Sequence, residues 1–108
     1  MAYNEHLADR IRQSLKNQHT AFEEKKMMGG LTFMVNTKMC IGIVKNDLMA
    51  RIGPDAYDSA LEKPGVRPMD FTKKPMKGYV FIALEAIDLD SQLDEWIAAA
   101  LNFNRTLV

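Results

Sequence analysis

The side chains of this chain that could do chemistry are few: His6, His19, Cys40, the serines Ser14, Ser59 and Ser91, and an acidic run from Asp88 to Asp94. The histidines stand 13 positions apart and form no His-x-x-x-His or Cys-x-x-Cys pattern of the kind that gathers zinc ligands. Cys40 lies between Met39 and Ile41 with no base nearby in sequence to lower its pKa, so it reads as a buried structural thiol. None of the serines sits in a Gly-x-Ser-x-Gly elbow. Asp88-Leu89-Asp90-Ser91-Gln92-Leu93-Asp94 lacks the central glycine and terminal glutamate of a calcium loop, and reads instead as a helix cap with acids in the first turn. Met28-Gly29-Gly30 leads into an apolar run, whereas a phosphate-binding loop leads into a helix; the paired glycines therefore predict a bend. The eight methionines are spread along the chain and read as flexible core filler, not as a copper(I) site. The expectation is a protein with no catalytic residue, no cofactor and no metal site.

Charge suggests a surface role. The chain has 108 residues, 26% of them charged, and a formal net charge of zero, so no bulk field draws it to nucleic acid or membrane. The charges are segregated along the sequence. Lys63 to Gly78 carries five bases and one acid, a local +4, and Glu85 to Glu95 carries five acids and no base, a local −5. Two solvated faces would explain this pattern; so would a polar docking surface for a protein partner or for a second copy of the chain, which predicts a homodimer. The candidate interaction residues are Arg67, Lys73, Lys74 and Lys77. An alternative has Lys73, Lys74 and Lys77 contacting phosphates of a nucleic acid, with Phe71 and Tyr79 as stacking platforms, although no helix-turn-helix motif accompanies them. A small-molecule pocket between sheet and helices is a third reading.

These residues must be positioned by one domain, since 108 residues suffice for a single two-layer core. Behind Asn4, a plausible cap, Leu7, Ala8, Ile11 and Leu15 repeat at three and four, which predicts a helix to about Asn17. Thr20 to Met27 reads as a charged edge strand. Leu31, Phe33 and Val35 alternate along the next strand. Beyond an Asn36-Thr37 turn, Met39, Ile41 and Ile43 alternate with Cys40, Gly42 and Val44 along a central one. An Asn46-Asp47 turn leads to a strand over Leu48 to Ile52. Gly53-Pro54-Asp55 opens a short helix with Ala56, Tyr57, Ala60 and Leu61 on its buried face, and Lys63-Pro64-Gly65 ends it. Arg67 to Phe71 is expected to be extended, and Lys73 to Gly78 to be a loop. Tyr79 to Leu84 is a continuous apolar run that predicts a strand buried on both faces. From about Leu89, Leu93, Trp96, Ile97, Ala100 and Leu101 mark a final helix ending near Asn104. Short, hairpin-like connections predict a mainly antiparallel sheet with helices on one side, an α+β two-layer sandwich.

The ordered set of short motifs resembles the TfoX/Sxy amino-terminal domain. Met27-Met28-Gly29-Gly30-Leu31-Thr32-Phe33-Met34-Val35-Asn36-Thr37-Lys38-Met39 is similar to its glycine bend, strand, turn and second strand; Met28 stands where the family usually has phenylalanine. Leu48 to Ile52, Gly65-Val66-Arg67-Pro68-Met69 and Asp94-Glu95-Trp96 resemble later pieces of the same pattern, so the likeness spans nearly the whole chain. It implies an α+β domain similar to secretion-chaperone-like folds. Longer members regulate competence genes together with a cyclic-AMP receptor-type transcription factor and carry a helical carboxy-terminal domain. This chain is expected to be a stand-alone amino-terminal domain that binds a protein partner, with a transcription factor as one candidate. The single cysteine, the lack of a basic-then-apolar leader and the lack of a long apolar run predict a cytoplasmic location.

Overall fold

The computed structural model describes residues 3–27, 30–68 and 77–107. Helix α1, Glu5–Asn17, starts where the Asn4 side chain accepts a hydrogen bond from the Leu7 backbone N–H at 3.0 Å, and its buried face carries Leu7, Ala8, Ile11 and Leu15. Strand β1, Glu23–Met27, follows; it is shorter than the expected segment, because Thr20 to Phe22 are not in the ladder. Strands β2, Gly30–Val35, β3, Lys38–Val44, and β4, Asp47–Arg51, form the meander. Helix α2, Pro54–Leu61, and the edge strand β5, Val66–Pro68, come next. Strand β6, Tyr79–Ile82, runs through Ala83 into a short 3-10 helix, Leu84–Ile87, and the chain closes with α3, Asp90–Thr106.

The six strands form one sheet in the order β1-β2-β3-β4-β6-β5, with every neighbouring pair antiparallel. The molecule is thus an α+β protein. Two apolar rows cross the four inner strands: Leu31, Ile43, Leu48 and Ile82 in one, Phe33, Ile41, Ala50 and Val80 in the other. These residues are all buried and form one core with the apolar stripes of α1 and α3. On the other face, Lys25, Thr32, Gly42, Met49, Phe81 and Arg67 are cross-strand neighbours along a single row. Met49 is 2% exposed and Phe81 8%, and they form a second, smaller cluster with Met39, Val44 and Tyr79 packed against it. Strand β6 is therefore covered on both faces, as its unbroken apolar run implies.

The structure departs from the sequence reading in several places, each with a local cause. Met39 was expected on the same face as Ile41 and Ile43. The β2-β3 register instead shifts between Phe33 and Met34: Phe33 pairs with Ile41, and Met34 with Met39. Cys40 has no register partner, the alternation breaks, Met39 joins the smaller cluster, and Cys40 enters the main core. The second turn sits one residue earlier than expected, at Lys45-Asn46, because Val44 pairs with Asp47; Lys45 takes φ 57° there. Leu84 belongs to the 3-10 helix and not to the strand. Gly30 is needed for space: a Cβ at this position would run into the Ile43 carbonyl oxygen of the neighbouring strand. The rest of the expected glycine bend, Met28 and Gly29, lies outside the described residues, as do Met69 to Phe71 of the predicted extended segment. No helix among the described residues is long and apolar enough to cross a membrane.

Candidate functional site: a tryptophan-floored groove

One base of the first charge block and two acids of the second come together in the fold. Lys63, just beyond α2, and Glu85 and Glu95, from the 3-10 helix and α3, line a groove of about 360 Å³ together with Gln92 and Trp96. A smaller cavity of about 150 Å³ continues it between α2 and α3, with Ala56, Ser59 and Ala99 in its wall, and shares Lys63, Glu95 and Trp96. Local sequence explains the arrangement. Gly65, at φ +78°, turns the chain between α2 and β5, and its carbonyl accepts from the Ala83 N–H at 2.9 Å, which draws this turn to the start of the 3-10 helix. The first turn of α3 is set by Gln92, whose side-chain oxygen accepts from the Leu89 N–H at 2.9 Å; neither Asp88 nor Ser91 acts as the cap. Three and four residues on, Glu95 and Trp96 line the cavity between α3 and α2.

Trp96 is 9% exposed, so most of its ring belongs to the core and the remainder floors the groove. The Lys63 ammonium lies over the ring, 5.0 Å from its centroid, a distance at which the negative π face attracts a cation. Lys63 itself makes no ion pair within 4.0 Å among the described residues. Glu85 and Glu95 are exposed and have no ion-pair partner there either. Two further acids of the same run are differently placed: Asp90 pairs with Arg10 at 3.2 Å, and Asp94 accepts a hydrogen bond from Ser14 at 2.6 Å, both tying α3 to α1.

Of the basic residues singled out from sequence, Arg67 lies on the edge strand β5, ion-paired with Asp47 and stacked 5.1 Å from the Phe81 ring centroid. Lys77 is exposed in the turn before β6. Lys73 and Lys74 lie outside the described residues, as does Phe71. Tyr79, the other expected stacking platform, is engaged by the Arg51 guanidinium at 5.3 Å, which also lies 5.5 Å from the Phe103 ring. The structure therefore brings Lys63 to the groove and sets Arg67 on a different element. Trp96 was legible as a helix-face residue, and Lys63 as one charge among several; their contact joins positions 33 apart and has no local signature.

Cys40 is buried, and loss of hydration pushes its thiol up to about 12, an effect only partly offset by the positive charge of Arg51. Such a thiol is protonated and unreactive at neutral pH. Among the described residues no three His, Cys, Asp or Glu side chains gather in a way that could hold a metal ion.

Comparison with curated proteins and with solved structures finds no match. The family model of the TfoX N-terminal domain matches residues 9–104, a span that runs from the first turns of α1 to the last turn of α3 and includes every strand and the whole groove. The chain belongs to the TfoX N-terminal domain family.

Proposed function

We propose that this domain is a non-enzymatic protein-interaction module that serves as an accessory in transcriptional or competence-related regulation, and that the Trp96 groove is where its partner docks. The observation that carries this reading is the groove itself: an aromatic floor reached from solvent between two helices and a 3-10 turn, with separate charges on its rim. Large aromatic rings in concave, partly desolvated settings are the usual energetic centres of protein interfaces. Family membership supports the regulatory context through the longer relatives' role.

The test is a groove-blocking substitution. Ser59 is exposed on α2 and lines the smaller cavity, so Ser59→Trp fills it without removing a core residue. Cross-linking followed by affinity capture at native expression level should recover a reproducible partner with the parent chain and lose it with the variant, while circular dichroism stays the same. Identical capture sets from both chains would count against the groove, and no reproducible partner at all would count against the module. The alternative, phosphate contact by the basic stretch, has exposed Lys77 in its favour; Arg67, held by Asp47 and Phe81, is already engaged. Titration with labelled DNA and RNA at low salt separates the two readings.

A further inference from the structure

Resting on the reading of this groove as a docking site, we propose that its occupant is a basic peptide segment of a protein partner, one of whose Lys or Arg side chains takes the place that Lys63 holds over Trp96. The reasoning starts from what the site already accommodates. A cation sits 5.0 Å from the indole centroid, so the ring face is presented at the distance and direction that a positive charge prefers. That cation is the domain's own, carried on an exposed side chain just past the end of α2, and no carboxylate within 4.0 Å among the described residues holds it in place. Its flexible four-carbon stem can swing away when a competing cation arrives.

The walls fit the same chemistry. Glu85 and Glu95 line the groove, are exposed, and have no ion-pair partner among the described residues, whereas Asp90 and Asp94 of the same run are tied to α1. An arriving guanidinium or ammonium would meet the aromatic face in a groove whose wall also carries two carboxylates more than 4.0 Å from the Lys63 position, within the span of a basic segment and of no use to an acidic or purely apolar one. With Lys63 seated, the lining carries one base against two acids; with Lys63 displaced, its only charged residues are the two acids. Lys63 thus acts as an internal plug, occupying in the free domain the position that the partner's cation takes in the complex. The groove continues past Trp96 along Ala56, Ser59 and Ala99, which gives room for small or apolar residues next to the basic one.

Trp96 is the only tryptophan, so intrinsic fluorescence reports this site and no other. The experiment titrates the full chain with hexaarginine amide, hexalysine amide and a hexaglutamate control at about 0.15 M ionic strength, where charges beyond about 8 Å are screened. The basic peptides should change Trp96 emission saturably and the acidic one should not. Lys63→Ala should bind the basic peptides roughly 3-fold to 5-fold more tightly, since the competing cation is gone. Glu85→Gln combined with Glu95→Gln should weaken binding roughly 5-fold to 10-fold. All three substituted positions are exposed, and unchanged circular dichroism confirms that each variant is folded. Emission that does not respond, affinity that ignores the two glutamates, or a Lys63→Ala variant that binds no more tightly would each overturn the proposal. If Ser59→Trp abolishes partner capture while the basic peptides fail to bind, the docking reading stands and the basic occupant is rejected.

Discussion

Asn104 shows how one buried polar side chain ties distant parts of this domain together. It is 2% exposed in the last turn of α3, donates to the Val35 carbonyl at 3.0 Å and accepts from the Asn36 side chain at 2.9 Å. Asn36 and Thr37 both adopt positive φ, 53° and 66°, a conformation that is costly for the β-branched Thr37 and that this clamp helps to hold. Replacing Asn104 by Ala leaves the Val35 carbonyl without its partner, so urea unfolding should register a loss of about 1–3 kcal/mol. Cys40 offers the opposite case, a polar group whose surroundings silence it. With its pKa pushed up to about 12, iodoacetamide at pH 8 should label it on the order of 10³-fold more slowly in the folded protein than in urea, as followed by mass spectrometry. The buried thiol was legible from its apolar neighbours. The Asn104 clamp was not, because its two partners lie 69 and 68 residues away.

At the scale of elements, α1 is joined to the edge strand β1 by a two-pronged ion pair: Arg12 donates to both carboxylate oxygens of Glu24 at 2.7 Å and also to Asp9 at 2.6 Å. The hydrogen bonds from Arg12 hold the Glu24 carboxyl below its ordinary range against the opposing effect of burial. Because the folded-state pKa is depressed, the stability this pair contributes is complete above the unfolded value of about 4.3 and is lost as pH falls through the lower, folded one. The stability difference between the parent chain and Glu24→Gln, measured by urea titration, should stay constant at neutral pH and close below about pH 4. Helices and strands themselves were largely readable, since their apolar periods of 3.6 and 2 are properties of the local chain. The β2-β3 bulge was not. Both alternating sets of β3 are apolar or small, so no polar residue marks where the alternation slips, and Met39 and Cys40 exchanged their expected faces.

For the molecule as a whole, the sheet order implies a gradient of protection. Strands β2, β3, β4 and β6 are paired on both sides and carry the two apolar rows, whereas β1 and the three-residue β5 are paired on one side only within the sheet. Amide hydrogen exchange followed by NMR should be slowest in β3 and fastest in β5 and the outward N–H groups of β1; uniform rates across the sheet would contradict the topology. Sequence by itself determined the α+β class, the order of most elements, the capped first helix, the apolar stripe of α3 and the family likeness, because each is written in short-range periodicity or in contiguous motifs. It also revealed two blocks of opposite charge, but not that Lys63 of one block and Glu85 and Glu95 of the other would line one groove with Trp96. That juxtaposition was decided only by the tertiary structure. It depends on Gly65 drawing the end of α2 to the 3-10 turn and on α3 packing back across the sheet, long-range contacts for which a linear pattern holds no signal.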